Sequence, residues 1–198
     1  MSIMSTRATI LAALALAISA SLTTLTGVAS ANHAGQPTRQ QLMNKCAGAD
    51  YCEFKPQGGM QVFGGPNMLA GSSTNCTNFN QTRVIRWEST SGTTNTFGVE
   101  ISAGVTLGEI FELSIKSSFQ REWSWTDTKA DEIRQDVGKK SRVDIYAQKQ
   151  QTRVDGQWEI HFGSRYYGHY YWFVNGSVTG QTKGQPWHTT ARQVKANC

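Results

Sequence analysis

The chain is poor in the residues that usually announce a function. It has four prolines and four histidines among 198 residues, and only 17% of the residues are charged. No G-x-S-x-G elbow, P-loop or glycine-rich dinucleotide fingerprint is present. No pair of cysteines has the C-x₂₋₄-C spacing of a zinc site. His161 and His169 lack an H-E-x-x-H or comparable pattern, so they read as ordinary strand histidines, although Asp155 and Glu159 are near in sequence. The formal charge of +5 is spread along the chain, which is poor ground for nucleic-acid binding. These absences lead to the expectation of a protein without catalytic residues, cofactor, metal or nucleic-acid partner. A hydrolase using paired carboxylates stands as the third reading, because such geometry is three-dimensional.

What is present begins with an export signal. Arg7 precedes the apolar run "ATILAALALAISASL", and "ASA" at 29–31 has the form of a cleavage site. Residues 1–31 are therefore read as a signal peptide and the protein as secreted and extracellular. Beyond it, no stretch is apolar enough for a spanning helix. Four cysteines in an oxidising compartment predict two disulfides, with three possible connectivities. The preferred pairing is Cys46–Cys52, closing the short "CAGADYC" loop, and Cys76–Cys198, tying the last residue to the start of the β-rich region.

Residues 32–45 are polar and lack periodicity, so they read as a flexible leader and a possible docking arm. Residues 46–75 are rich in turn residues around one short apolar piece, 60–63, and form a loop-rich disulfide segment. From Cys76 to Cys198 the chain reads as strands. "TRVIRWES", "SRVDIYAQ", "GQWEIHF" and "YGHYYWFV" all carry two-residue periodicity. Residues 128–141, "TKADEIRQDVGKKS", read as a short helix or charged loop, and Asn175-Gly176 as a hairpin turn. The fold class is all-β: an antiparallel, elongated sheet or sandwich with two disulfides. Sequons at Asn75, Asn80 and Asn175 read as turn chemistry unless the host glycosylates.

The most informative segment is "FGVEISAGVTLGEIFELSIKSSFQREWSW", residues 97–125. Phe97, Val99, Ile101, Val105, Leu107, Phe111, Leu113, Ile115, Phe119, Trp123 and Trp125 are all odd-numbered. The even positions are mostly polar or glycine. Read as a hairpin, the parity demands a loop of odd length. A loop Gly108-Glu109-Ile110 pairs Leu107 with Phe111, Val105 with Leu113, Ala103 with Ile115 and Val99 with Phe119, and a five-residue loop keeps the same parity. One outcome is a hairpin with one face on a sandwich core. The other is a hairpin that enters a bilayer, since each arm reaches the ~9–11 residues a tilted strand needs to cross. Trp123 and Trp125 would then sit at the interface. Ser117 and Arg121 fall on the apolar face. An arginine there costs about 2–4 kcal/mol at the midplane and about 0–1 near the interface, where Arg121 would lie.

The lead-in "ESTSGTTNTFGVEISAGVTLG", the amphipathic hairpin and "REWSWTDT" resemble the pore-forming module of aerolysin-like toxins of the epsilon-toxin and mosquitocidal-toxin type, over about residues 84–162. The resemblance implies an elongated β-domain that oligomerises on membranes, with 97–107 and 111–125 as the inserting tongue. A second candidate site is the aromatic run Tyr166, Tyr167, Tyr170, Tyr171 and Trp172, too rich in rings for one buried face. An exposed subset would stack on a cell-surface glycan or seat a lipid headgroup. The alternative to a toxin is a binding module or adaptor subunit that meets a secreted protein partner through the leader and this aromatic strand.

Overall fold

The computed structural model describes residues 35–198. The signal peptide and the first residues of the leader lie outside the described residues. The rest of the leader is not a free arm. Helix α1 (Arg39–Lys45) starts at a capping box, in which the Thr38 hydroxyl accepts from the Gln41 amide at 3.2 Å and the Thr38 amide donates to the Gln41 side chain at 2.8 Å. Its Leu42 and Met43 are buried. Two apolar residues on one short turn are too few to show periodicity, yet enough to anchor it.

A 3₁₀ turn at Cys46–Gly48 leads into β1 (Tyr51–Pro56). The supposedly loop-rich segment then continues as β2 (Gln61–Asn75), a long strand that absorbs its Gly and Pro residues in two bulges against its neighbour. β3 (Gln81–Gly92) and β4 (Thr94–Asn95) follow, then helix α2 (Thr106–Phe119), β5 (Trp123–Ser124), β6 (Thr126–Val137), β7 (Ser141–Tyr166), β8 (His169–Thr182) and β9 (Trp187–Lys195). Residues 128–137, expected as helix or loop, belong to strand β6. Every pairing among the described strands is antiparallel, and Cys46–Cys52 and Cys76–Cys198 pair with Cα atoms 5.4 and 5.6 Å apart. The expected antiparallel β architecture and both cysteine pairings are therefore present.

β7 is the spine. "SRVDIYAQ" and "GQWEIHF" are not two strands but parts of one 26-residue strand, on the order of 85 Å long at about 3.3 Å per residue. Its first half is flanked by β2 and β9, its second by β1 and β8. Burial changes parity along it. Val143, Ile145, Ala147 and Lys149 are buried in the first half, but Thr152, Val154, Trp158 and Ile160 in the second. Because alternate strand residues point to opposite faces, β7 serves two cores on opposite sides. The odd-face core packs Val143, Ile145 and Ala147 against Ile85 and Trp87 of β3 and Val137 of β6. The even-face core packs Val154, Trp158 and Ile160 against α1, Phe54, Phe97, α2 and Trp123.

Asn175-Gly176 makes no turn. Gly176 lies within β8 opposite Gly156 of β7, and a side chain at either would run into Phe97 or Phe54 respectively. The glycine pair makes room for two rings over the sheet. The turn that joins β7 to β8 is Tyr167-Gly168, both with positive φ (50° and 83°), as a two-residue type I′ connection requires. Asn75 does act in a turn. Its side chain accepts from the Thr77 amide at 2.9 Å and donates to the carbonyls of Phe79, Val137 and Gly138.

Candidate functional site: the 93–125 insert and an exposed aromatic face

β3 and β6 form a two-stranded sheet without a bulge, from Gln81↔Val137 to Gly92↔Thr126. Residues 93–125 are the insert between them. In this structure they are not a hairpin. Thr94–Asn95 pairs with β8, Asn95 caps the following loop by accepting from the Phe97 amide at 2.9 Å, and 106–119 is α2. The reason is a coincidence of periods. Every second alternating position is also an i, i+4 position, so Leu107, Phe111 and Ile115 form one helical stripe. All three are buried, and Ser114 and Gly108 beside them are buried too. A side chain at position 108 would collide with the Ser102 carbonyl, so the glycine read as a loop residue is instead a close contact. Leu113, which a strand would place with Phe111 and Ile115, is 70% exposed.

The remaining members of the proposed membrane face are also accounted for. Phe97, Ile101 and Trp123 are buried, Val99, Phe119 and Trp125 are half-buried against the same core, and Val105 is exposed at the helix N-terminus. Phe111 is the centre. Its ring lies 5.0 Å from Phe54, 5.1 Å from Trp123 and 5.9 Å from Trp125. Trp125 donates its indole N–H to Glu112, Trp123 donates to the Thr93 hydroxyl at 3.1 Å, and Lys183 of the loop after β8 holds Glu122 at 2.8 Å. Beside these contacts a cleft of about 610 Å³ opens between α2 and residues 122–126. The helix is weakly specified at both ends. Val105 at the N-cap offers no side-chain acceptor, and Gln120 at the C-terminal end is left-handed at φ 54°.

The second site lies on the face of β1, β7 and β8 opposite the even-face core. There β1, β7 and β8 leave one face open, and their facing residues form rows: Tyr51, His161 and Tyr171; Glu53, Glu159 and Phe173; Lys55, Gln157 and Asn175. The His161 ring sits 4.6 Å from Tyr51 and 4.4 Å from Tyr171. Glu159 receives Lys55 on one carboxylate oxygen and His161, at 2.7 Å, on the other. The hydrogen bond from Lys55, and after it that from His161, holds the Glu159 carboxyl below its ordinary pKa. Tyr51 donates to Glu53, which lies 3.8 Å from the Lys55 ammonium.

The predicted aromatic set divides around this face. Tyr171 belongs to it, Tyr167 and Tyr170 are exposed at the hairpin end, and Tyr166 and Trp172 turn to the opposite side and pack on the core. Tyr51, Glu53, Lys55 and Phe173 were not foreseen as partners. Their rows depend on β1 joining β7 across a hundred residues. A two-residue alternation in "YCEFKP" was the one signal that could have found β1.

No family model matches the chain, and no curated protein matches it. Among solved structures, the chain is similar to the parasporin-2 toxin of Bacillus thuringiensis, described as recognising cancer cells. The identity is 18%, over 74% of each chain, with a TM-score of 0.25. The likeness is a distant one in fold and bears on neither target nor mechanism.

Proposed function

We propose that the protein is a secreted, membrane-active β-protein of the aerolysin-like pore-forming kind, in which residues 93–125 exchange their helix and loop for a hairpin that continues β3 and β6. One observation supports this reading above the others. In the β3–β6 ladder the residue numbers of every facing pair add up to 218. The pairs that a Gly108-Glu109-Ile110 loop gives the insert, Leu107 with Phe111 and Val99 with Phe119, add up to the same number. The ladder would therefore zip onward through the insert with no change of register and no bulge, to a loop at Gly108-Glu109-Ile110. Face is preserved as well as register. Ile85, Trp87 and Val137 are buried odd residues of the ladder, and the odd apolar residues of the insert would share their face beyond the polar odd positions 89–95 and 127–131. Membrane insertion would replace the core that Phe97, Leu107, Phe111 and Ile115 now occupy with hydrocarbon, and satisfy the strand backbones within a closed barrel of several copies.

The test is dye release from liposomes by the protein without residues 1–31. The Lys183 amide donates to the Glu122 carbonyl at 2.8 Å, next to the Trp123–Thr182 strand pair, so the backbones are close enough for Glu122→Cys with Lys183→Cys to tether the insert to β8. Release by the wild type and by each single variant, and its loss in the oxidised double variant, is the expected pattern. Equal release from the tethered protein would sink the reading. The adaptor alternative loses part of its motivation, because residues 39–45 are docked on the protein's own core.

A further inference from the structure

We propose that the open face of β1, β7 and β8 is a binding site for a neutral pyranose of a glycan, with Tyr171 and Phe173 as stacking platforms and Glu159, His161 and Lys55 as hydroxyl partners. The site stands on these three strands alone and does not require the insert to enter a membrane.

The ligand class follows from the mixture of groups. Tyr171 and Phe173 are 59% and 54% exposed and lie two residues apart on one strand, so both rings stand on the same face, on Cα atoms about 6.8 Å apart. One strand spacing away, about 4.8 Å, are the hydrogen-bonding groups of β7, and one further are those of β1. A sugar ring has the matching character, an apolar C–H face and a rim of hydroxyls. The polar groups are already fixed before any ligand arrives. Glu159 is held from two sides by Lys55 and His161, and each of its oxygens keeps a second lone pair for a hydroxyl donor. His161 is wedged between the rings of Tyr51 and Tyr171, which fixes Tyr171 as well. Such preorganisation lowers the ordering cost of binding.

Charge selects among sugars and against lipids. Two carboxylates, Glu53 and Glu159, face a single ammonium, Lys55. The flanking Asp155 is matched by Arg153 at 2.8 Å. The surplus is negative, so a sialylated or sulfated sugar or a phosphate headgroup would meet like charge.

The protein without residues 1–31 is passed over immobilised neutral oligosaccharides terminating in galactose, glucose, mannose or N-acetylglucosamine, over their sialylated forms, and over phosphatidylcholine vesicles. Retention on at least one neutral sugar is expected. Tyr171→Ala and Glu159→Gln should each weaken it about tenfold, and Tyr170→Ala at the hairpin end should leave it unchanged. Thermal melting checks that the variants are folded; Glu159→Gln gives up its ionic bonds to Lys55 and His161, so a modestly lower melting temperature with a cooperative transition retained is expected of it. No retention on any neutral sugar, retention indifferent to both variants, or retention by phosphatidylcholine or sialylated sugars alone would overturn the proposal. Dye release from sugar-free vesicles reads the insert separately, so the two readings fail independently.

Discussion

Strand β3 and the insert that follows it both carry apolar residues at odd positions and adopt different structures. In the ladder, Ile85, Trp87 and Val137 find a second layer in β7, and twelve facing pairs form without interruption. In the insert, the same odd-position chemistry is read at every fourth residue and becomes a helix on the opposite core. Local pattern admits both outcomes. Which one forms depends on whether an apolar layer is available to a strand or to a helix at that place, and here Phe54 of β1 with Trp158 and Ile160 of β7 offer that layer to the helix. The difference is one of packing partners, and a lipid core is a partner too.

The largest effect should come from removing the ring at the centre of the insert's packing. Phe111→Ala is expected to cost about 3–5 kcal/mol in denaturant unfolding, because its side chain is fully buried among Phe54, Trp123 and Trp125. Val84→Ala, at an exposed ladder position, should stay within about 0.5 kcal/mol. Equal losses at the two positions would mean that the helix does not pack as described.

Next comes the bolt between ladder and spine. Lys149 of β7 is 4% exposed, yet its ammonium bonds Asp127 at the start of β6 and the Gln185 carbonyl. It also lies 5.5 Å over the Trp187 ring. Asp127→Ala would leave a buried ammonium short of its counter-charge, at about 3 kcal/mol. Lys149→Met in the same chain should recover much of this loss, since an apolar stem replaces the unpaired charge. Failure of the second substitution to rescue the first would show that Asp127 matters for something other than Lys149.

Much of this architecture was legible from residue patterns. The cysteine pairs followed from compartment and loop closure, and the strands with Val143, Ile145, Trp158 and Ile160 followed from period 2. What was not legible depended on partners far away in sequence. "TKADEIRQDV" is charged because β6 belongs to a two-stranded sheet that buries Val137 and only half-buries Ile133 along this stretch, so it lacks a convincing apolar alternation. "SRVDIYAQ" and "GQWEIHF" looked separate because the strand joining them changes its buried face between Lys149 and Thr152. Asn175-Gly176 mimicked a turn because Gly was needed beneath Phe97. The aromatic run showed its composition, but the sorting of Tyr171 from Trp172 needed the register of β8 against β7.

A smaller effect should come from tipping the balance between helix and strand without touching the core. Val105→Asp supplies the missing N-cap acceptor, and Gln120→Gly relieves the left-handed position. Together they should stabilise the insert by about 1–2 kcal/mol. On the proposed function, Gln120→Gly alone would slow dye release, because the helix must be given up before the ladder extends; Val105→Asp is kept out of this assay because residue 105 would face hydrocarbon in the hairpin. Faster or unchanged release from a demonstrably more stable protein would separate α2 from the rate-limiting step.

The subtlest effect is the dependence of the insert on pH. The Lys183 hydrogen bond, and then its charge, holds the Glu122 carboxyl below its ordinary value, while the bond to Glu122 raises Lys183. A carboxyl depressed in the folded state contributes stability that is fully present above its unfolded pKa of about 4.3 and is lost as pH falls through the lower folded value. The tie between residue 122 and Lys183 should therefore weaken below about pH 4, and tryptophan fluorescence from Trp123 and Trp125 should report it while the ladder stays intact. Both groups are well exposed, so the change is slight and salt-sensitive. Glu122→Gln should remove the acid-dependent part and leave the neutral-pH spectrum nearly as it was. An acid transition that survives this substitution would show that the tie between Glu122 and Lys183 is not its source.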